Sequence, residues 1–336
     1  MQAEKQKLSI TRPLLFTLLA GVFALGIFVG AGMSLFAPLP ETKGTTDGNR
    51  EGFRFIKPPQ EGKTAVGGRL KKELMPFQDR VNELVKSRVQ NGDATAVSFY
   101  FCDLNNNSWF GIGERDSFPP GNRLKIPLMI AYFKWAESSP LVLRTTLTYT
   151  VAGEMAEKTP SQKTKTLEPG KTYSVNDLIF RMITVDDSAA YALLRTNLPA
   201  GRLEKVFKDL DVVYEGSLSL NACAAFYRVL FNASYLSEEM SEKALRSLYK
   251  SSFKEGMSQS LPPNIDMAGL YDEQTISVPD NEEEQNQYQI REFGIIYQPN
   301  RPFLLGVMVQ GNDVTRMKKV LREITRLVHQ EVDRQS

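Results

Sequence analysis

The chain has 336 residues, enough for one large domain or two small ones with a sizeable core. Its 42% hydrophobic and 24% charged residues are ordinary for a globular protein, and 41 Lys+Arg against 39 Asp+Glu leave almost no net charge. That balance excludes a strongly basic chain built for nucleic acid and an acidic solvating arm.

The N-terminus gives the clearest local signal. After "MQAEKQKLSITR" no charged residue occurs from Pro13 to Pro40, and Leu14–Phe36 alone would cross a hydrocarbon core of about 30 Å as a helix. Lys5, Lys7 and Arg12 precede the run, which places the N-terminus in the cytoplasm and exports the rest. The expectation is a single-pass protein of the cell membrane, with a cytoplasmic tail over 1–12 and an anchor over 13–37. The alternative is a cleaved signal peptide; the run is long for that, and no A-x-A site follows it. Gly26 and Gly30 form a G-x-x-x-G pair on which a homodimer could assemble through the anchor.

Residues 38–68 are rich in Pro, Gly, Thr and charge and read as a linker, leaving 69–336 for the exported domain. "MPFQDRVNELVKSRV" sets Phe77, Val81, Leu84 and Val89 at helical spacing, with Pro76 in the first turn. "ATAVSFYFCDL", "NNN" and "SWFGI" read as strand, turn and strand. From about 120 to 260 the pattern is mainly helical, with Ser174 as an N-cap and Asp177 three residues on. "IDMAGLY", "REFGIIYQ" and "PFLLGVMVQG" read as three more strands. A closing amphipathic helix carries Met317, Val320, Leu321, Ile324, Leu327 and Val328 on one side. The predicted fold class is α+β: one antiparallel sheet flanked by the N- and C-terminal helices, with an inserted helical lobe.

Cys102 and Cys223 are far apart in sequence and have no metal-ligand spacing; they read as two small buried side chains, or as one disulfide outside the cytoplasm. His329 is the one histidine, so no metal site and no Ser-His-Asp triad is expected. No cofactor is expected either.

The order of elements resembles the class A β-lactamase and penicillin-recognising serine hydrolase family. The resemblance covers residues 70–333, through "FYFCDLNNNSWFGIGERDSFPPGNRLKIPLMIAYFKWAE", "LIFRMITVDDSAAYALL", "AAFYRVLFNASYLS" and "FGIIYQPNRPFLLGVMVQGND". The family's S-x-x-K motif supplies an acylated serine and a lysine that helps move its proton. Here it reads Asn122-Arg123-Leu124-Lys125, which keeps the lysine and loses the nucleophile. Asn122 reads otherwise as an N-cap, asparagine being among the best caps. The place of S-D-N reads Val185-Asp186-Asp187, with Ser188 as a substitute only if the register slips by one residue. On this reading Asp186 is a structural hydrogen-bond acceptor and Asp187 the counter-ion of Lys125. The place of K-[TS]-G, whose lysine and hydroxyl dock a carboxylate, reads Leu270-Tyr271-Asp272; a shift onto Met267-Ala268-Gly269 keeps only the glycine. Neither supplies a cation. Lys125, Asp186, Asp187 and Asp272 together make a net acidic pocket, better suited to a cationic or amine-bearing ligand than to a penicillin-like carboxylate.

The N-terminal run, the resemblance and the departures from its motifs together give the expectation of a membrane-anchored, extracytoplasmic β-lactamase-like domain without serine-hydrolase activity. Its expected role is binding cell-wall glycan or peptide, or an envelope protein. Two alternatives stay open. One is an active β-lactam or peptide amide hydrolase with a non-standard site, and the other a purely structural envelope protein whose pocket is filled.

Overall fold

In a computed structural model, the residues described are 52–58, 75–119, 121–150, 167–251, 253, 255–280 and 283–335. The anchor and tail expected over 1–37 lie outside them. Among the described residues no helix is long and apolar enough to cross a membrane.

Helix α1 (Met75–Gln90) leads into strands β1 (Ala96–Asp103) and β2 (Trp109–Ile112). A 3₁₀ turn (Gly121–Leu124) then opens helix α2 (Lys125–Ser138). The lobe continues with a small hairpin, β3 (Thr146–Thr148) and β4 (Thr172–Ser174). Helices α3 (Val175–Thr184), α4 (Ser188–Asn197), α5 (Arg202–Asp209), α6 (Leu220–Phe231) and α7 (Glu238–Tyr249) follow. Strands β5 (Met267–Asp280), β6 (Glu283–Ile296) and β7 (Phe303–Gly311) precede the closing helix α8 (Val314–Arg334).

The sheet runs β2-β1-β7-β6-β5, antiparallel throughout. β1 pairs with β7, Phe99 opposite Val307, so the two ends of the chain close one sheet around the lobe. The hairpin at Asn105–Asn107 turns with Asn107 at φ +56°, a conformation asparagine tolerates better than most residues.

Apolar residues pack on both faces of the sheet. On one face, Phe77, Val81 and Val85 of α1 and Met317, Val320, Leu321, Ile324 and Val328 of α8 are buried. Phe77 meets Phe101 and Phe110 edge-on at 5.0 and 4.9 Å, the geometry aromatic quadrupoles favour. Val85 rather than Val89 completes the α1 stripe; Val89 is exposed in the last turn. On the other face, α2, α3 and α6 bury Leu128, Met129, Leu178, Met182, Phe226 and Tyr227 against the sheet and one another. Ser174 caps α3 through a 3.0 Å bond from the amide of Asp177, as its place before the apolar run predicts.

Two differences from the sequence reading have physical causes. β5 and β6 are much longer than expected, because beyond Tyr288 opposite Gly311 they pair only with each other. Strand pairing that rests on backbone bonds to one neighbour alone does not require the apolar alternation by which a core strand is read from sequence. Second, residues 53–57, inside the expected linker, are packed into the domain: Phe55 and Ile56 are buried.

Candidate functional site

The 3₁₀ turn and α2 meet β5, β6 and the α3–α4 junction, where the three degenerate motifs come together. The α-helix begins at Lys125; its N-cap position is Leu124, which makes no side-chain cap bond. Asn122 is therefore not the cap of this α-helix: its backbone is the second residue of the 3₁₀ turn. Gly121 opens that turn at φ +48°, and a Cβ there would stand 2.2 Å from both Asp272 Oδ2 and Gln274 Nε2. Close approach to β5 and left-handed backbone both demand glycine.

Lys125 is buried, and its Nζ forms an ion pair with Asp186 Oδ1. Asp187 does something else. Its Oδ1 accepts from the amides of Ala189 (3.0 Å) and Ala190 (3.1 Å) and caps α4. The expected roles of the two aspartates are thus exchanged. The cause is backbone conformation: Asp187 is extended, with its carboxylate turned onto the free N–H groups of the next helix. Asp186 at φ +57° swings out toward α2 instead. Val185 is the C-cap of α3, its amide donating to Arg181 O at 3.1 Å. Ser188 is the first residue of α4. Burial raises the Asp187 carboxyl above its ordinary value; the Ala190 and Ala189 amides, Arg181 and Lys125 oppose that rise. Its Oδ2 is buried with no hydrogen-bond partner among the described residues.

On β5, alternation sends Leu270 and Asp272 to the lobe side and Tyr271 to the other. Leu270 packs against the lobe core. Tyr271 stacks on Phe253 at 3.5 Å, donates its hydroxyl to Glu273 Oε2 at 2.8 Å, and has Lys318 Nζ 5.7 Å from its ring. Burial, ahead of Glu273, raises its hydroxyl far above the phenol range. The three residues in the place of K-[TS]-G therefore do not converge. In the shifted alignment Ala268 is buried, and a Cβ on Gly269 would meet Phe293 O at 2.6 Å.

A cation is present after all, on the neighbouring strand. Arg291 stands opposite Asp272 in the β5–β6 ladder and forms a buried ion pair with it, while its second nitrogen donates to Pro119 O. Motif matching misses Arg291 because it looks along one strand. The available signal is the charged pair Arg291-Glu292 inside the otherwise mostly apolar strand "QIREFGII", where a buried charge needs a partner. With Lys125 held by Asp186 and Asp272 by Arg291, two of the expected carboxylates are paired within the chain, while Asp187 and the lining Glu292 keep the formal charge of the site acidic.

Behind the ion pairs is a hollow lined by Ile126, Leu220, Cys223, Phe226, Tyr227, Leu270 and Phe293, with Asp272, Arg291 and Glu292. It measures about 420 Å³ with its open mouth included. Tyr227 donates its hydroxyl to Phe293 O at 2.7 Å. Cys223 and Cys102 are both buried thiols not joined in a disulfide, and burial pushes the Cys102 thiol up to about 11. His329 lies on α8, bonded to Gln298 Oε1 at 3.0 Å. Among the described residues no group of His, Cys, Asp or Glu is placed to hold a metal ion.

The model of the beta-lactamase enzyme family matches residues 76–332. Solved structures share the fold at low identity. A mutant of PBP-A, solved as its acyl-enzyme complex with penicillin G, is 19% identical, covering 80% of this chain and 98% of that one, with a TM-score of 0.62. A beta-lactamase from Sphaerobacter thermophilus DSM 20745 is 16% identical over 76% and 97%, with a TM-score of 0.63. A class A beta-lactamase from Mycobacterium abscessus is 15% identical over 75% and 98%, with a TM-score of 0.59. No curated protein matches. The chain belongs to the beta-lactamase enzyme family.

Proposed function

We propose that this member of the beta-lactamase family is a membrane-anchored, extracytoplasmic domain that has lost acyl transfer and serves by binding in the cell envelope. The observation that carries the reading is Asn122 in the 3₁₀ turn that leads into α2, at the place of the family's serine. A side-chain amide has no hydroxyl to attack a carbonyl, and a lysine beside it has no proton to take. Two further features support the same reading. Lys125 is committed to Asp186, and the guanidinium nearest the carboxylate dock is committed to Asp272. The charge-free run Leu14–Phe36 supports the anchor, with Lys5, Lys7 and Arg12 setting its orientation.

Partners of the domain are cell-wall glycan or peptide, or an envelope protein, and the anchor's glycine pair offers a route to a homodimer. A second reading, an acylating enzyme with another nucleophile, is favoured by one finding: a PBP-A mutant of the same fold is known as a penicillin acyl-enzyme. Intact-mass spectrometry of the full chain after incubation with penicillin separates the two. Binding alone leaves the mass unchanged and nitrocefin hydrolysis at the buffer rate. A stoichiometric mass increase on any cleft residue promotes the enzyme.

A further inference from the structure

Residues 53–57, Phe-Arg-Phe-Ile-Lys, run across the ends of α6 and α7 far from the cleft residues in sequence, and they are bound there by side chain and backbone alike. Phe55 is 2% and Ile56 3% exposed. The Phe55 ring meets Tyr249 of α7 at 5.0 Å and Tyr297, just past β6, at 5.3 Å. The Phe55 amide donates to Glu242 Oε2 at 2.7 Å, and Tyr297 donates its hydroxyl to Phe55 O at 3.1 Å. The Lys57 amide donates to Phe231 O at 2.8 Å, one of the carbonyls that the end of α6 leaves over. Arg54 pairs with Asp266, and its guanidinium lies 5.2 Å from the Tyr249 ring. Lys57 Nζ reaches Asn105 Oδ1 at 2.9 Å.

These contacts are of the kind that recognise an extended basic–aromatic peptide. A pocket of tyrosines takes the central ring, carboxylates of Glu242 and Asp266 meet an amide and a cation, and alternate backbone groups are read. We propose that the α6–α7 groove is a peptide-binding site whose occupant is this chain's own residues 53–57, and that it holds the domain to its N-terminal segment without help from the covalent connector 59–74. A cut in that connector would then leave the domain attached. The docking is indifferent to whether the cleft turns over a substrate.

The test uses the full chain in detergent, with a C-terminal tag and a specific protease site placed between residues 61 and 68. After complete cleavage, capture on the tag retains the N-terminal fragment, and the pair Phe55→Ala/Ile56→Ala releases most of it. Loss of the fragment from the otherwise unaltered chain overturns the proposal, and so does equal retention by the double variant. A second measurement needs no cleavage: in the uncut chain the Phe55 and Lys57 amides exchange hydrogen at least about tenfold more slowly than in an unstructured peptide. Exchange at the free rate would overturn the docking as well.

Discussion

The exchanged roles of Asp186 and Asp187 make a sharp thermodynamic prediction. Lys125 and Asp186 have side-chain exposures of 5% and 18%. Removing one member of a fully buried pair costs about 3–5 kcal/mol, chiefly because the other charge is stranded. With Asp186 partly open to water, Asp186→Asn should cost about 2–3 kcal/mol; asparagine is chosen because it tolerates the φ of +57° at that position. In a domain of this size that lowers Tm by about 4–8 °C. Adding Lys125→Met removes the stranded ammonium and should recover most of the loss, since an apolar side chain of similar volume suits a buried site. Asp187→Ala instead removes the α4 cap and should cost about 1–2 kcal/mol, with little recovery from Lys125→Met. Urea denaturation of the single and double variants, closed as two thermodynamic cycles, reads both couplings. A Lys125 coupling larger for Asp187 than for Asp186 would refute the assignment.

Gly121→Ala should lower stability by about 2 kcal/mol or more, from the left-handed backbone and the contact with Asp272, visible as a lower urea midpoint at unchanged slope. The Asp187 carboxyl is raised in the folded state, so the fold binds the extra proton. Wild type should therefore gain stability relative to Asp187→Asn as the pH falls from neutral through the raised value toward 3.8, read from paired thermal melts; a constant difference would contradict this. Phe55→Ala should cost about 3–5 kcal/mol, whereas a free linker residue would cost almost nothing. Asn122→Ser alone should give no penicillin adduct by intact mass, because Lys125 stays paired with Asp186 and Leu270 offers no cation.

Much of the frame is legible in the sequence. The stripes of α1 and α8, the nearly continuous apolar runs of β1 and β7 and the Ser174 cap are local patterns, each readable within its own element. What is not legible depends on partners distant in sequence. Arg291 reads as an anomaly until the β5–β6 register brings Asp272 opposite it. "VDD" does not reveal which aspartate caps a helix and which faces Lys125, because a single left-handed residue decides it. "GFRFIKPP" looks like linker because a segment bound by its neighbours needs no periodicity of its own.

The buried cations of the site find their counter-charges within the chain. A buried lysine and a buried arginine would each cost several kcal/mol if unpaired. Here each has a carboxylate from the adjoining motif, Asp186 for Lys125 and Asp272 for Arg291. The second pair is tied to the α2 entry through Pro119 O and the glycine-only contact at Gly121. These charges therefore serve the packing of α2 against the sheet and the α3–α4 junction. A substitution that frees Arg291 for an external carboxylate must loosen that packing, so binding at the dock and stability of the domain are opposed.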